Sequence, residues 1–409
     1  MNYIKLRNNN LCVEKVLAIK LAKKYKTPFY CYSLEQIRHN YRTLEFAFKN
    51  VDPLICFSVK SNSNLKLLNQ LKKIGSGADV VSIGELLKAT KAGIKSNKIV
   101  FSGVGKTEEE ILMAIKKRVL LINVESENEV NLINKIAQKV SRKIPIGIRL
   151  NPNVTGKTHK KISTGGKQEK FGLTQHDFLN LCKKIKKMKN LSLEGISVHI
   201  GSQITNINPF KKVLTIINKI INKTQIDFKY IDLGGGIGIA YSKNEKPINL
   251  KQYAKLINKF MKNKNSKIIL EPGRFVVGNA AILITKIIYI KKSNGKKFIV
   301  LDAGMNNLMR PALYEAHHQI LPLKKTNKLL KGKIEFVGPI CESTDRFSTE
   351  KKFQKVKEGD YVGLANVGAY GMSLSSNYNT RPVISEIMVS GSKHKVIRKR
   401  QSLESLVNN

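Results

Sequence analysis

The chain has 409 residues, long enough for two domains with substantial cores, and it carries 73 Lys+Arg against 29 Asp+Glu for a formal charge of +44. The lysines run from end to end beside abundant Asn and Ile instead of gathering in one basic arm, and no zinc-finger or aromatic RNA-binding signature accompanies them. Specific nucleic-acid binding is therefore not expected, and the charge reads as compositional bias.

The start, "MNYIKLRNNN", has no apolar signal core, and the segment before Thr27-Pro28 reads as mainly helical. Residues 29 to 32 read as a strand that either domain could own. Short β-rich apolar runs then alternate with lysine-studded amphipathic segments. Strands are predicted near 55–60, 77–82, 98–103, 120–126, 144–150, 193–201, 228–236 and 267–274. About eight such units imply a (β/α)8 TIM-type barrel over residues 30–274. From about residue 275 the rhythm changes to strands punctuated by Gly and Asp without regular helices, which with residues 1–29 predicts an antiparallel β-rich domain over 275–409. The greasiest stretch, "GNAAILITKIIYI" (278–290), is broken by Lys286 and too short to span a bilayer. The five cysteines are widely spaced with no C-x-x-C pair. These features predict a soluble, cytoplasmic protein with no membrane partner and no structural metal.

In a barrel of this kind the C-terminal ends of the strands converge on one face. Lys60 closes the first strand in "ICFSVKSN", Asp79 and Ser82 lie in the second, and Arg149 with Asn151 ends the fifth. His199 and Ser202 follow the sixth, Gly234, Gly235 and Gly236 end the seventh, and Glu271 with Arg274 ends the eighth. Taken singly, a strand-end lysine such as Lys60 is more often a snorkelling surface residue than a catalyst. "DLGGGIGIAY" is not a dinucleotide fingerprint, and its glycines serve a tight turn, a phosphate site, or both. Together, a strand-end lysine, a glycine loop and a strand-end carboxylate point to pyridoxal 5′-phosphate (PLP), with the lysine as Schiff-base partner, the loop on the phosphate and the acid facing the pyridine nitrogen.

The motifs "FSVKSN", "GADVVSIGEL", "RLNPNV", "KISTGGKQEKFG", "HIGSQI", "LGGGIG", "EPGR", "GPICESTD" and "GAYGMSLSSNYNTRP" resemble the diaminopimelate decarboxylases across nearly the whole chain. These belong to the alanine-racemase-like, fold type III class of PLP enzymes that also holds ornithine and arginine decarboxylases. Ser58 and Ser61 stand where that family commonly has alanine. The resemblance implies that Lys60, His199, Glu271 and Cys341 are catalytic. It implies that Asp79, Ser202, the three glycines, Pro272, Gly273, Arg274 and Tyr370 join Lys60, His199 and Glu271 around the cofactor.

It also implies a homodimer in which Cys341 and Glu342 reach the partner's site from the β-rich domain, the cysteine as proton donor. Arg274, Arg310, Tyr314, Glu342 and Tyr370 match positions that bind substrate. An arginine fork suits a distal carboxylate, which ornithine lacks. The expected reaction is decarboxylation of meso-2,6-diaminoheptanedioate (meso-diaminopimelate) to L-lysine and CO2, the last step of lysine biosynthesis. The alternatives are a related ornithine- or arginine-type decarboxylase and a non-catalytic PLP-binding homologue.

Overall fold

A computed structural model describes residues 3–156, 160–162, 164–242 and 244–408. All eight predicted barrel strands form. In chain order they are Leu54–Ser58, Gly77–Val80, Ile99–Phe101, Leu121–Val124, Ile144–Arg149, Leu191–Ser197, Tyr230–Asp232 and Lys267–Leu270. Each pairs in parallel with its neighbour, and the eighth closes on the first.

The sequence builds each turn of this barrel from local signals. Asn64, Ser82, Ser126, Thr174 and Asn249 cap the helices that follow them by accepting backbone N–H bonds. Thr107 and Glu110 form a reciprocal capping box. Each such cap is worth about 1 kcal/mol and fixes where a strand-end loop must stop. The helix Asn208–Thr224 shows what the lysine excess does. Phe210, Val213, Leu214, Ile217 and Ile220 are buried at helical spacing, while Lys211, Lys212 and Lys219 stand exposed on the opposite face.

Gly147 has a distinct task inside the barrel. A Cβ there would sit 2.4 Å from Asn123 Oδ1, so its absence lets the Asn123 side chain cross the interior.

The second compact unit comprises residues 1–40, 240–245 and 275–409. Its main sheet runs in the order Arg346–Gln354, Leu329–Val337, Lys296–Leu301, Ala281–Ser293, Phe29–Ser33, Ser385–Ser390, Lys393–Arg398. Tyr361–Ala365 also pairs with Ala281–Ser293 and carries Ile320–Pro322 beside it. The strand left open between the domains, Phe29–Ser33, thus lies in this sheet. Most pairings are antiparallel, as expected, but two are parallel: Phe29–Ser33 with Ser385–Ser390, and Lys296–Leu301 with Leu329–Val337. Sequence rhythm does not reveal pairings between strands so far apart in the chain.

The N-terminal segment corrects the sequence expectation. It is not mainly helical: Ile4–Arg7, Asn10–Val13 and Val16–Leu17 form a small antiparallel sheet, and the only helix before residue 27 among the described residues is Ala18–Lys24. Asn8 and Asn9 adopt φ of 45° and 60°, the left-handed geometry a tight hairpin requires and asparagine tolerates. Among the described residues, no helix is long and apolar enough to cross a membrane.

Candidate active site

The first barrel strand ends at Ser58, and a single 3-10 turn, Val59–Ser61, carries Lys60 just beyond it. Lys60 Nζ lies 3.1 Å from Asp79 Oδ2. Ser58 and Asp79 are register partners on adjacent parallel strands, so both side chains enter the barrel interior. Ser58 Oγ stands 2.8 Å from the same Asp79 oxygen and 3.0 Å from the Glu271 carbonyl. Asp79 is fully buried, and its ion pair with the half-exposed lysine holds that amine at the barrel mouth.

Asp232, one strand away from Glu271, forms the base of a buried polar layer. Its Oδ2 accepts from Asn123 Nδ2 at 2.9 Å and Ser197 Oγ at 3.1 Å, and its Oδ1 accepts from the Gly234 amide at 2.9 Å. Glu271 hydrogen-bonds to Asp232. Burial first, then the charges of Asp232 and Asp79, push Glu271 well above the usual carboxylate range, with Lys60 opposing. Burial first also raises the Asp232 carboxyl, with the charge of Asp79 adding to it and the Gly234 amide opposing. Among the described residues Glu271 Oε1 has no hydrogen-bond partner, an unusual state for a buried oxygen.

His199 Nδ1 accepts from the Gly235 amide at 3.1 Å, so a neutral ring carries its proton on Nε2. Burial, then the Lys60 and Arg149 cations, hold its pKa well below the usual histidine range. The neutral ring lines a cavity of about 420 Å³ with Lys60, Arg149, Ser197 and Glu271. Gly235 has no alternative here, since a Cβ would lie 2.1 Å from the Glu271 carbonyl oxygen. The Gly234 and Gly235 amides are thus committed to Asp232 and His199, and these two glycines shape the turn.

Two arginines approach this end of the barrel. Arg149 Nη1 bonds Glu125 Oε1 at 2.8 Å, and its Cζ lies 4.8 Å from the Phe171 ring centroid. The sequence marked Arg149 as a strand-end residue but gave it no role, and it passed over Asp232. The available signal for Asp232 was an acid at the inward end of the otherwise apolar strand Tyr230–Asp232. Arg274 opens the short helix Arg274–Val277, is buried, and donates to Ser202 Oγ from Nη2 at 3.0 Å. Pro272 and Gly273 are buried beside Glu271. Ser163, within the "KISTGGKQEKFG" motif, lies outside the described residues.

In the β-rich unit, Cys341 and Glu342 are exposed on one loop. Thr344 Oγ1 donates to Glu342 Oε2 at 3.2 Å, and the Tyr378 hydroxyl donates to Glu342 Oε1. Asp345 anchors the loop by accepting from the Met305 and Ile340 amides, each at 2.7 Å. Arg310 is buried at the start of the helix Arg310–Tyr314, and Tyr314 is half-buried at its end. Tyr370 is half-buried with φ of 56°, a strained conformation for a tyrosine and common at functional sites.

The barrel residues fit pyridoxal 5′-phosphate. Lys60 would supply an amine for its aldehyde, Glu271 Oε1, with no partner among the described residues, an acceptor for its ring nitrogen, and the side-chain-free glycine turn a space at the strand ends.

Comparison with known proteins agrees with this chemistry. Residues 34–278 match the family described as pyridoxal-dependent decarboxylase, pyridoxal binding domain. The chain is 41% identical to the diaminopimelate decarboxylase of Aquifex aeolicus over 99% of its own length and 96% of that protein. The structure of diaminopimelate decarboxylase from Helicobacter pylori complexed with L-lysine superposes with a TM-score of 0.90 at 41% identity, covering 96% of this chain and 98% of that one. The M. jannaschii enzyme in complex with L-lysine gives 0.93 at 36% identity, covering 99% and 96%. The chain belongs to the diaminopimelate decarboxylase family of PLP-dependent enzymes.

Proposed function

We propose that this chain decarboxylates meso-diaminopimelate to L-lysine and CO2 as a cytoplasmic homodimer, with PLP held in the barrel. When bound, PLP would supply an aldehyde for the substrate amine and an electron-withdrawing ring for the electron pair left as CO2 departs. Lys60 would anchor the cofactor through its amine, with Asp79 keeping that amine at the barrel mouth. Glu271 presents its carboxyl to the ring nitrogen and sustains the ring's electron demand. The neutral His199, which lines the same cavity, would lie against the ring without adding a cation that competes with it. Gly236, Ser202 and Tyr370 hold the phosphate, with Asp79, Gly234, Gly235, Pro272, Gly273 and Arg274 completing the cofactor's surroundings.

Substrate choice falls to Arg274, Arg310 and Tyr314, which hold the carboxylate at the far end. Cys341 and Glu342 arrive from the second copy of the chain. After CO2 leaves, the Cys341 thiol delivers its proton to the carbon that lost it and is reprotonated from water. Glu342 binds the substrate beside it. The exposure of Cys341 and Glu342 on an anchored loop supports delivery of that pair to a partner.

The observation that carries this reading is the buried Glu271 oxygen with no partner in a cavity that Lys60 also lines. The test is direct. Purified protein loaded with PLP is reduced with borohydride and digested, and lysine formation from meso-diaminopimelate is assayed against putrescine from ornithine and agmatine from arginine. Label on Lys60 with lysine as product is the expected result. Label on another lysine overturns the site, putrescine or agmatine as the main product overturns the substrate, and label without turnover leaves a PLP-binding homologue.

A further inference from the structure

The helix Arg310–Tyr314 begins with a buried guanidinium, and eight residues later the fully buried His318 lies next to it. Arg310 Nη1 is 2.9 Å from His318 Nε2, and His318 Nδ1 is 2.8 Å from the Ala365 carbonyl oxygen. Arginine nitrogens only donate and a carbonyl oxygen only accepts. Both bonds form together in one state of the ring: neutral, with its proton on Nδ1 and a lone pair on Nε2. The backbone enforces this state, because Ile320–Pro322 pairs with Tyr361–Ala365 and the Ala365 amide bonds the Gln319 carbonyl at 2.9 Å.

Tyr241 supplies a second surface. The Arg310 Cζ sits 4.7 Å from its ring centroid, and the Tyr241 and His318 rings meet edge to face at 89° with centroids 5.5 Å apart. Histidine lone pair and tyrosine face are both neutral. They fix the plane of the guanidinium without cancelling its charge, as a group that must receive an anion requires.

We infer that His318 is a positioning residue for substrate specificity, whose neutral ring aims Arg310 at the carboxylate that the substrate keeps through the reaction. The inference rests on the proposed role of Arg310. A carboxylate acceptor in place of His318 would pair with the arginine and compete with substrate. A protonated imidazole would repel it. The neutral tautomer held by Ala365 avoids both.

The test compares PLP-loaded H318F, H318Q and R310M with the unaltered enzyme. Three quantities are read: KM and kcat for meso-diaminopimelate, inhibition by L-lysine, which retains the distal carboxylate, and inhibition by cadaverine, which lacks it. H318F keeps a ring against Tyr241 but removes both nitrogens. It should raise KM and weaken L-lysine inhibition by roughly ten- to a hundredfold, the cost of losing a bond to a charged group. Turnover should stay within about threefold, with cadaverine inhibition unchanged, because uniform binding of the far end is what has been lost. H318Q can donate to Ala365 and accept from Arg310, and should restore L-lysine inhibition.

If R310M weakens L-lysine inhibition and H318F does not, the positioning role is wrong while the arginine assignment stands. If R310M has no effect, the arginine assignment itself fails. Equal weakening of L-lysine and cadaverine in H318F would mean general loss of the site and would also overturn the inference. H318M replaces H318F in the same comparison should the latter not fold.

Discussion

The barrel and the β-rich domain present reactive groups by opposite means. In the barrel, Asp79, Asp232 and Glu271 are all buried, and desolvation with repulsion from neighbouring carboxylates pushes Asp232 and Glu271 above the usual carboxylate range. On the β-rich domain, Cys341 and Glu342 are exposed on a loop that Asp345 anchors and whose Glu342 side chain Tyr378 and Thr344 hold in place. Burial tunes the groups proposed to act on a cofactor's electrons. A scaffolded, water-exposed loop would suit groups that, as proposed, a second copy of the chain completes.

The sharpest way to break this contrast is to separate the regions genetically. K60A and C341A should each abolish turnover as pure proteins. Mixed under conditions of subunit exchange, they should recover about a quarter of wild-type activity, since half the dimers are hybrid and each hybrid has one intact site. No recovery, with exchange shown by an independent label, would place both residues in one chain's site.

E271A comes next. It should lower turnover on the order of a hundred- to a thousandfold while PLP dissociation changes far less, because the carboxyl acts on charge that develops during the reaction. Measured turnover and PLP affinity falling together would make Glu271 an ordinary binding contact.

A smaller effect tests whether burial governs charge elsewhere at the barrel mouth. Glu85 accepts from the Val81 amide at 2.9 Å, and burial pushes its carboxyl up from 4.5 to about 7. With the folded value raised, the stability it contributes is fully present below pH 4.5 and is lost as pH rises to about 7. E85Q mimics the protonated form. Urea unfolding should show wild type losing ground to E85Q across that window, by no more than about 3 kcal/mol, and level above it.

S58A should have the least effect. The hydroxyl touches Asp79 and the Glu271 carbonyl, so its removal should cost roughly 1 kcal/mol of stability and leave turnover within about threefold. A larger drop in turnover would promote this serine, which replaces a common alanine, to an active role in holding Asp79 against Lys60.

Much of the barrel was legible because its signals are local. Alternating apolar runs, capping residues and strand-end polar groups lie within a few residues of each other, and Lys60, His199, Gly234 to Gly236 and Glu271 all stand where strands end. The β-rich domain was less so. Its mixed sheet joins Phe29–Ser33 to Ser385–Ser390, and the Asn8-Asn9 turn converts an apparent helical segment into a hairpin.

By itself, then, the chain's order of residues determined the eightfold repeat, the cofactor class and the residue types at the strand ends, since periodicity and chemistry are properties of short stretches. The tertiary structure alone decided how those groups bear on one another's protons. Asp232 presses on Glu271 from the neighbouring strand, Asn123 reaches Asp232 across the barrel through the space left by Gly147, and Ala365 selects the tautomer of His318. Proton positions depend on dielectric and on distances of a few ångströms between residues far apart in the chain, and no local pattern encodes those distances.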